Sequence, residues 1–148
     1  MRIVLGCDHR GYHAKERVRE LLTSTGHEVR DFSPKEGCTS DYPDTGLPAA
    51  CCVRDGEADV GILFCGNGIG MSIVANKVRG IRAALCHDEL TAQMSRQHND
   101  ANVLCLPADL IGEELVKRVV ETWLHARFER GRHERRVNKI RDYEQNAS

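Results

Sequence analysis

Residues 58–77 read Ala58-Asp59-Val60-Gly61-Ile62-Leu63-Phe64-Cys65, then Gly66-Asn67-Gly68-Ile69-Gly70, then Met71-Ser72-Ile73-Val74-Ala75-Asn76-Lys77, and this stretch decides the architecture. The first segment is apolar at consecutive positions rather than alternate ones, with Asp59 its one charge. A strand of that kind is covered on both faces, as strands are in parallel sheets flanked by crossover helices. The glycines break it, and Met71–Lys77 resumes as a helix. Working outward, Arg2–Cys7 (RIVLGC), Ile81–Cys86 (IRAALC) and Asn102–Leu106 (NVLCL) repeat the apolar run, and His27–Phe32 supplies one more strand. Between them, Ala14–Leu22 carries Val18, Leu21 and Leu22 at helical spacing, with Gly26 as a stop. Leu47–Gly56 reads as a short helix with Pro48 in its first turn. Asp88–Gln97 and the long amphipathic Gly112–Phe128 complete the helices, while residues 33–46, holding Pro34 and Pro43, read as a loop. The pattern predicts the α/β class: a three-layer α/β/α sandwich around a five-stranded parallel, Rossmann-like sheet. In such sheets ligands bind beyond the carboxyl ends of the strands. That places Cys7-Asp8-His9, Cys65–Gly70 and Cys86-His87-Asp88 on one rim.

Length and composition narrow the function. A chain of 148 residues supports one core, so residues 1–148 are read as a single domain with a basic C-terminal arm over residues 127–148. Twenty-one basic against 22 acidic side chains, a net charge of -1, argue against a generally basic nucleic-acid binder. Aromatics at 5% offer no stacking platform for single strands. No apolar run approaches the roughly 20 residues that span a bilayer. The amino terminus meets charge too soon for a signal peptide, so a soluble, cytoplasmic protein is expected, with no membrane partner. The seven cysteines are odd in number and include no C-x-x-C pair, which argues against a disulfide framework or a zinc site. Most lie in apolar runs as small core residues.

Cys65 differs, because it ends a strand just before a glycine-rich turn and a helix start, where thiolate forms more readily. Gly66, Gly68 and Gly70 free the backbone to turn N–H groups inward as an anion nest, or simply make a tight turn. The spacing is G-x-G-x-G, not the dinucleotide G-x-G-x-x-G, and no P-loop Lys follows. Met71 stands where a cysteine-phosphatase loop would need arginine. His98, in Ser95-Arg96-Gln97-His98-Asn99-Asp100, is either a capping or surface residue or a participant in chemistry. Asp8-His9 either touches a ligand or caps the following helix. From Arg127 to Arg141 seven basic residues face only Glu129 and Glu134. If Arg132 onward is helical, Arg132 and Arg136 share a face, as a solvated surface or as an anion clamp. The histidines are not spaced for a metal, and none is predicted.

Seven motifs in order carry a resemblance: Gly6-Cys7-Asp8-His9, Ser40-Asp41-Tyr42-Pro43, Cys65–Gly70, Ala75-Asn76-Lys77, Gly80-Ile81-Arg82-Ala83, Ser95–Asp100 and Gly131-Arg132-His133-Glu134-Arg135-Arg136-Val137. Together they resemble the type B ribose-5-phosphate isomerases and their galactose-6-phosphate isomerase relatives, from Ile3 to about Ile140. The resemblance implies a metal-free and cofactor-free aldose–ketose isomerisation of a sugar phosphate, D-ribose 5-phosphate to D-ribulose 5-phosphate, through an enediolate. It implies Cys65 as the base, an anion hole from the N–H groups of Gly66, Asn67, Gly68, Ile69 and Gly70, and His98 as the ring-opening residue with Asn99 beside it. It implies substrate contacts at Asp8 and Tyr42, and phosphate ligands at His9, Arg132 and Arg136. It also implies a homodimer with shared active sites, pairing into tetramers being left open. Some relatives use a glutamate from the helix after the glycine turn; Met71–Lys77 offers no acid, which favours Cys65. Two positions depart from the pattern. Asn67 stands where many members have Thr or Ser. Asp109 stands where some relatives carry a phosphate-holding arginine, and a carboxylate there would repel a dianion. The alternatives are isomerisation of another aldose phosphate (galactose or allose 6-phosphate, or a tetrose phosphate) and a non-catalytic phosphometabolite-binding module.

Overall fold

The computed structural model describes residues 1–147. Its elements run β1 (Arg2–Cys7), α1 (Tyr12–Ser24), β2 (Glu28–Asp31), α2 (Tyr42–Arg54), β3 (Val60–Cys65), α3 (Ile69–Ala75), β4 (Ala83–Leu85), α4 (Glu89–Asn99), β5 (Val103–Pro107), α5 (Glu113–His125) and α6 (Arg132–Asn146). All strand pairs are parallel, in the order β2-β1-β3-β5-β4. The chain leaves β1 toward one edge and returns to build β3 on its other side, so the crevice between the ends of β1 and β3 lies at a switch in strand order.

Side chains alternate across the sheet with period two. Ile3, Leu5, Ile62, Phe64, Leu104 and Leu106 pack with Val18 and Leu22 of α1, Ala92 of α4 and Val116, Val119, Val120 and Trp123 of α5. Val4, Leu63, Cys65, Val103 and Cys105 point the other way, against Ala49, Ala50 and Val53 of α2 and Met71 and Ala75 of α3. Trp123 is fully buried, and its indole N–H donates to Ser95 Oγ at 3.2 Å. All seven cysteines are free; Cys38 is exposed, Cys51 is half-buried and the other five are buried.

The largest departure from the sequence reading is α2, which begins at Tyr42 rather than Leu47. Asp41 holds an extended N-cap conformation, and Pro43 falls in the first turn, where a missing N–H costs nothing. Pro43, which read as loop, therefore sits in the first turn of the helix, and Pro48, which read as first turn, falls in its interior. β4 is a three-residue edge strand flanked by side-chain amides: Arg82 N–H donates to Asn102 Oδ1 at 2.8 Å and Ala83 N–H to Asn76 Oδ1 at 2.9 Å. α5 stops at His125 instead of Phe128, and Arg130 and Gly131, both at positive φ, turn the chain into α6. The arm is therefore helical, with Arg132 and Arg136 one turn apart.

Lys15 is buried beneath α1, with its ammonium bonded to Glu16 and, at 2.8 Å, to Asp31. Burial pushes that ammonium down, but the two carboxylates outweigh it and leave its pKa raised. Arg19, at 2.7 Å, and then Lys15 hold the Glu16 carboxyl at about 2, against the opposing effect of burial. A depressed carboxyl stabilises the fold above its ordinary value and loses that contribution as the pH falls through its folded value. Melting temperature is therefore expected to drop between pH 4.5 and about 2, and Glu16→Gln to flatten the curve in that window. A Glu16→Gln profile parallel to the parent's would remove the network from the account.

Candidate active site

Cys65 is the last residue of β3, 4% exposed, and its parity aims it at the α2–α3 layer. The chain beyond it must reverse into α3. Gly68 does this at φ 73, where a Cβ would lie 2.4 Å from Leu85 Cδ1. Asn67 Oδ1 accepts the Ile69 N–H at 3.0 Å and closes the turn. Ile69 N–H is thus taken, which removes it from the predicted anion hole. The N–H groups of Asn67, Gly68 and Gly70 have no protein acceptor among the described residues. From the β5 side the turn is pinned by Ala108 N–H to Cys65 O and Asp109 N–H to Gly66 O, both 2.9 Å.

Two neighbours complete a cleft of about 420 Å³ lined by Asp8, Tyr42, Cys65, Gly66, Asn67, Ile69, Gly70 and Ile73. Because α2 starts early, the Tyr42 ring lies flush on Gly70, where a Cβ would come within 2.9 Å of it. Asp8, 8% exposed, accepts the N–H groups of Arg10 (3.0 Å) and Gly11 (3.1 Å) on Oδ1. It holds the turn ahead of α1, whose N-cap is Gly11. Thr45 donates from Oγ1 to Cys7 O at 2.9 Å and ties α2 to the end of β1, a support the sequence did not single out.

The other predicted residues lie elsewhere. His9 is exposed just outside the cleft, with Nδ1 3.2 Å from Ser40 O. His98 and Asn99 end α4, which starts after the carboxyl end of β4 and runs back along the sheet. Its last turn is therefore on the opposite rim from Cys65. There the His98 ring stacks on His133 at 4.2 Å with 5° between planes. Burial, and then His98, lower the His133 pKa. Glu129 Oε2 stands 4.0 Å from His98 Nε2 and 3.7 Å from His133 Nε2. These three ligand atoms lie within 4.8 Å of one another, but an ion in the plane of one imidazole falls outside the parallel plane of the other. Arg132 and Arg136 are exposed on α6 with no carboxylate partner among the described residues. The chain thus brings together Asp8, Tyr42, Cys65, Gly66, Asn67, Ile69 and Gly70, and does not bring His98, Asn99, Arg132 or Arg136 to them.

Asp109 is not a bare charge. Arg10 Nε donates to its Oδ2 at 2.6 Å. This partner, 99 positions away, had no signal in the sequence.

Residues 3–140 match the model of a family described as Ribose/Galactose Isomerase. The chain is 45% identical to ribose-5-phosphate isomerase B of Escherichia coli K12, over 97% of both chains. It is 44% identical to a D-erythrulose-4-phosphate isomerase of Pectobacterium atrosepticum, over 96% of this chain and 94% of that one. The solved structure of Clostridium thermocellum ribose-5-phosphate isomerase B superimposes with a TM-score of 0.97 at 48% identity, covering all of both chains. No helix among the described residues is long and apolar enough to cross a membrane.

The turn after Cys65 yields a stability prediction. Gly68→Ala places a side chain in the left-handed region, at a cost of about 1–2 kcal/mol before the Leu85 collision is counted. Urea unfolding should show at least that loss; an unchanged midpoint would mean that the turn relaxes freely.

Proposed function

The chain belongs to the ribose/galactose isomerase family and is a sugar-phosphate isomerase, and from that premise we propose that it interconverts D-ribose 5-phosphate and D-ribulose 5-phosphate with Cys65 as the base. The observation that carries this reading is the Cys65 thiol in the cleft wall beside the N–H groups of Asn67, Gly68 and Gly70, which have no acceptor among the described residues. In this mechanism Cys65 Sγ takes the proton from C2 of the open-chain aldose. The C–H electrons form the C1=C2 bond of an enediolate, and the carbonyl oxygen at C1 becomes an oxyanion. Backbone donors fixed before reaction stabilise that charge without reorganising. The proton returns to C1, the proton of the C2 hydroxyl passes to the oxygen at C1, and the ketose results. Asn67 keeps a donor in place of a hydroxyl, because its oxygen is spent on Ile69 and its NH₂ group is free to face the cleft. Asp8 and Tyr42 contact the sugar, and His9, Arg132 and Arg136 hold the phosphate, binding energy remote from the reacting carbon. His98, with Asn99, opens the furanose ring.

This assignment requires a second copy of the chain. A homodimer with shared sites accounts for His98, Asn99, Arg132 and Arg136 being at the far end of the sheet from Cys65 in one chain. Ile69, Ile73, Leu90 and Met94 leave apolar surface exposed on α3 and α4, which a partner would cover. A tetrose phosphate is the second reading of the substrate, favoured by the 44% identity to the erythrulose-4-phosphate isomerase.

The purified protein is expected to turn over D-ribose 5-phosphate in the presence of chelator. Failure there with turnover of erythrulose 4-phosphate would transfer the assignment to the tetrose. Cys65→Ser should lower kcat by about 10²–10⁴ in a folded protein, the usual worth of a positioned base. Substantial residual turnover would reassign the base. Shared sites give a mixing test: Cys65→Ser and His98→Asn chains, each inactive alone, should regain about a quarter of parental activity after co-refolding, since half the dimers then hold one intact site. No recovery from verified heterodimers would mean that each site is built within one chain.

A further inference from the structure

Outside the set just described, the Arg10–Asp109 pair borders the cleft at Gly66. Arg10 follows His9 in the turn after β1, and its backbone N–H is fixed by Asp8 Oδ1 at 3.0 Å. Asp109 lies in the turn after β5, and its backbone N–H is bonded to Gly66 O at 2.9 Å. Their side chains meet above Gly66. A Cβ on that glycine would be 2.7 Å from Asp109 Oδ2 and 3.5 Å from Arg10 Nε. The pair therefore lies against the back of the first residue of the nest, on the rim of the cleft.

The arrangement of donors on that rim is asymmetric. Asp109 engages Nε alone, and the two NH₂ groups of Arg10 have no protein partner among the described residues. The guanidinium side chain is 61% exposed, so those groups face solvent. A pair meant only to staple two loops would present both guanidinium edges to the carboxylate, as Arg54 does with Asp55 through Nε and NH2. Here one edge is fixed and the fork is left open. Open guanidinium forks suit phosphate oxygens, and a carboxylate on the other edge restricts the rotamers that binding would otherwise have to order.

We infer that Arg10 is a substrate-binding residue for the phosphate group, with Asp109 as the positioning residue that aims it, an inference that rests on the sugar-phosphate reading above. The phosphate is then gripped in part by the same chain that carries Cys65, beside His9. The Asp109 carboxylate, which alone would repel the dianion, is neutralised by the residue it orients. The pair belongs to the phosphate end of the site and takes no part in moving the proton at Cys65.

The test is calorimetric titration with inorganic phosphate, together with steady-state kinetics on D-ribose 5-phosphate. Arg10→Ala should weaken phosphate binding and raise KM by roughly tenfold or more, the worth of a charge-assisted contact, with kcat within about twofold. Arg10→Lys should recover part of the affinity. The decisive variant is the double change. With Arg10 gone, Asp109 is an uncompensated charge, so adding Asp109→Ala to Arg10→Ala should tighten phosphate binding again. A structural staple predicts no such recovery. Phosphate affinity and KM unchanged in Arg10→Ala, or a double variant no better than the single, would overturn the inference. A parent protein that binds phosphate but does not turn over D-ribose 5-phosphate would instead count against the substrate assignment, while the titrations would still decide the role of Arg10.

Discussion

In a parallel sheet every strand delivers its carboxyl end to the same rim, and every crossover helix carries the chain back to the opposite one. The organisation of this molecule follows from that constraint. Asp8 and Cys65 meet because β1 and β3 are neighbours that end together at the switch in strand order. His98 and Asn99 close a returning helix and are carried away from them. No adjustment of loops within one chain reverses that polarity. In the proposed assignment the sugar-phosphate residues are therefore shared between two chains, and the basic arm, docked by Glu129 N–H on Gln97 O at 3.0 Å, extends the end of α4 that a partner would use.

At the cleft itself, close approach matters more than charge. Gly68 takes a backbone conformation that side chains avoid, and Gly66 and Gly70 are bare because Asp109 and Tyr42 occupy the space where their Cβ atoms would be. These contacts make a narrow wall of backbone N–H groups beside a thiol. Burial supplies the rest: the turn is fixed from behind by two hydrogen bonds from residues 108 and 109. Donors held in this way need no reorganisation when charge develops on a bound oxygen.

The readable parts of the chain were those with a periodic physical cause. Strands buried on both faces give unbroken apolar runs, so β1, β3 and β5 could be placed within a residue or two. Helix ends were harder. Pro43 and Pro48 look alike in sequence, yet one occupies a first turn and the other a helix interior, and the difference depends on Asp41 adopting an extended cap. The resemblance alone implies Ile69 as an anion-hole donor, and no sequence pattern reveals that the Asn67 side chain consumes its N–H. Asp109 read as a repulsive charge for a related reason: a salt bridge between two loops has no period and no motif.

From the amino-acid sequence alone come the parallel α/β class, the glycine turn after Cys65, the family, and even the rim on which Asp8 and Cys65 lie. These depend on local patterns, apolar runs and glycine spacing that any fold of this chain must respect. Tertiary structure decided which of those residues face one another. It seated Tyr42 on Gly70, spent Ile69 on Asn67, paired Arg10 with Asp109 across 99 positions and left His98 at the other end of the sheet. The physical reason is that long-range contacts are set by strand order and helix polarity, which no local pattern of residues encodes.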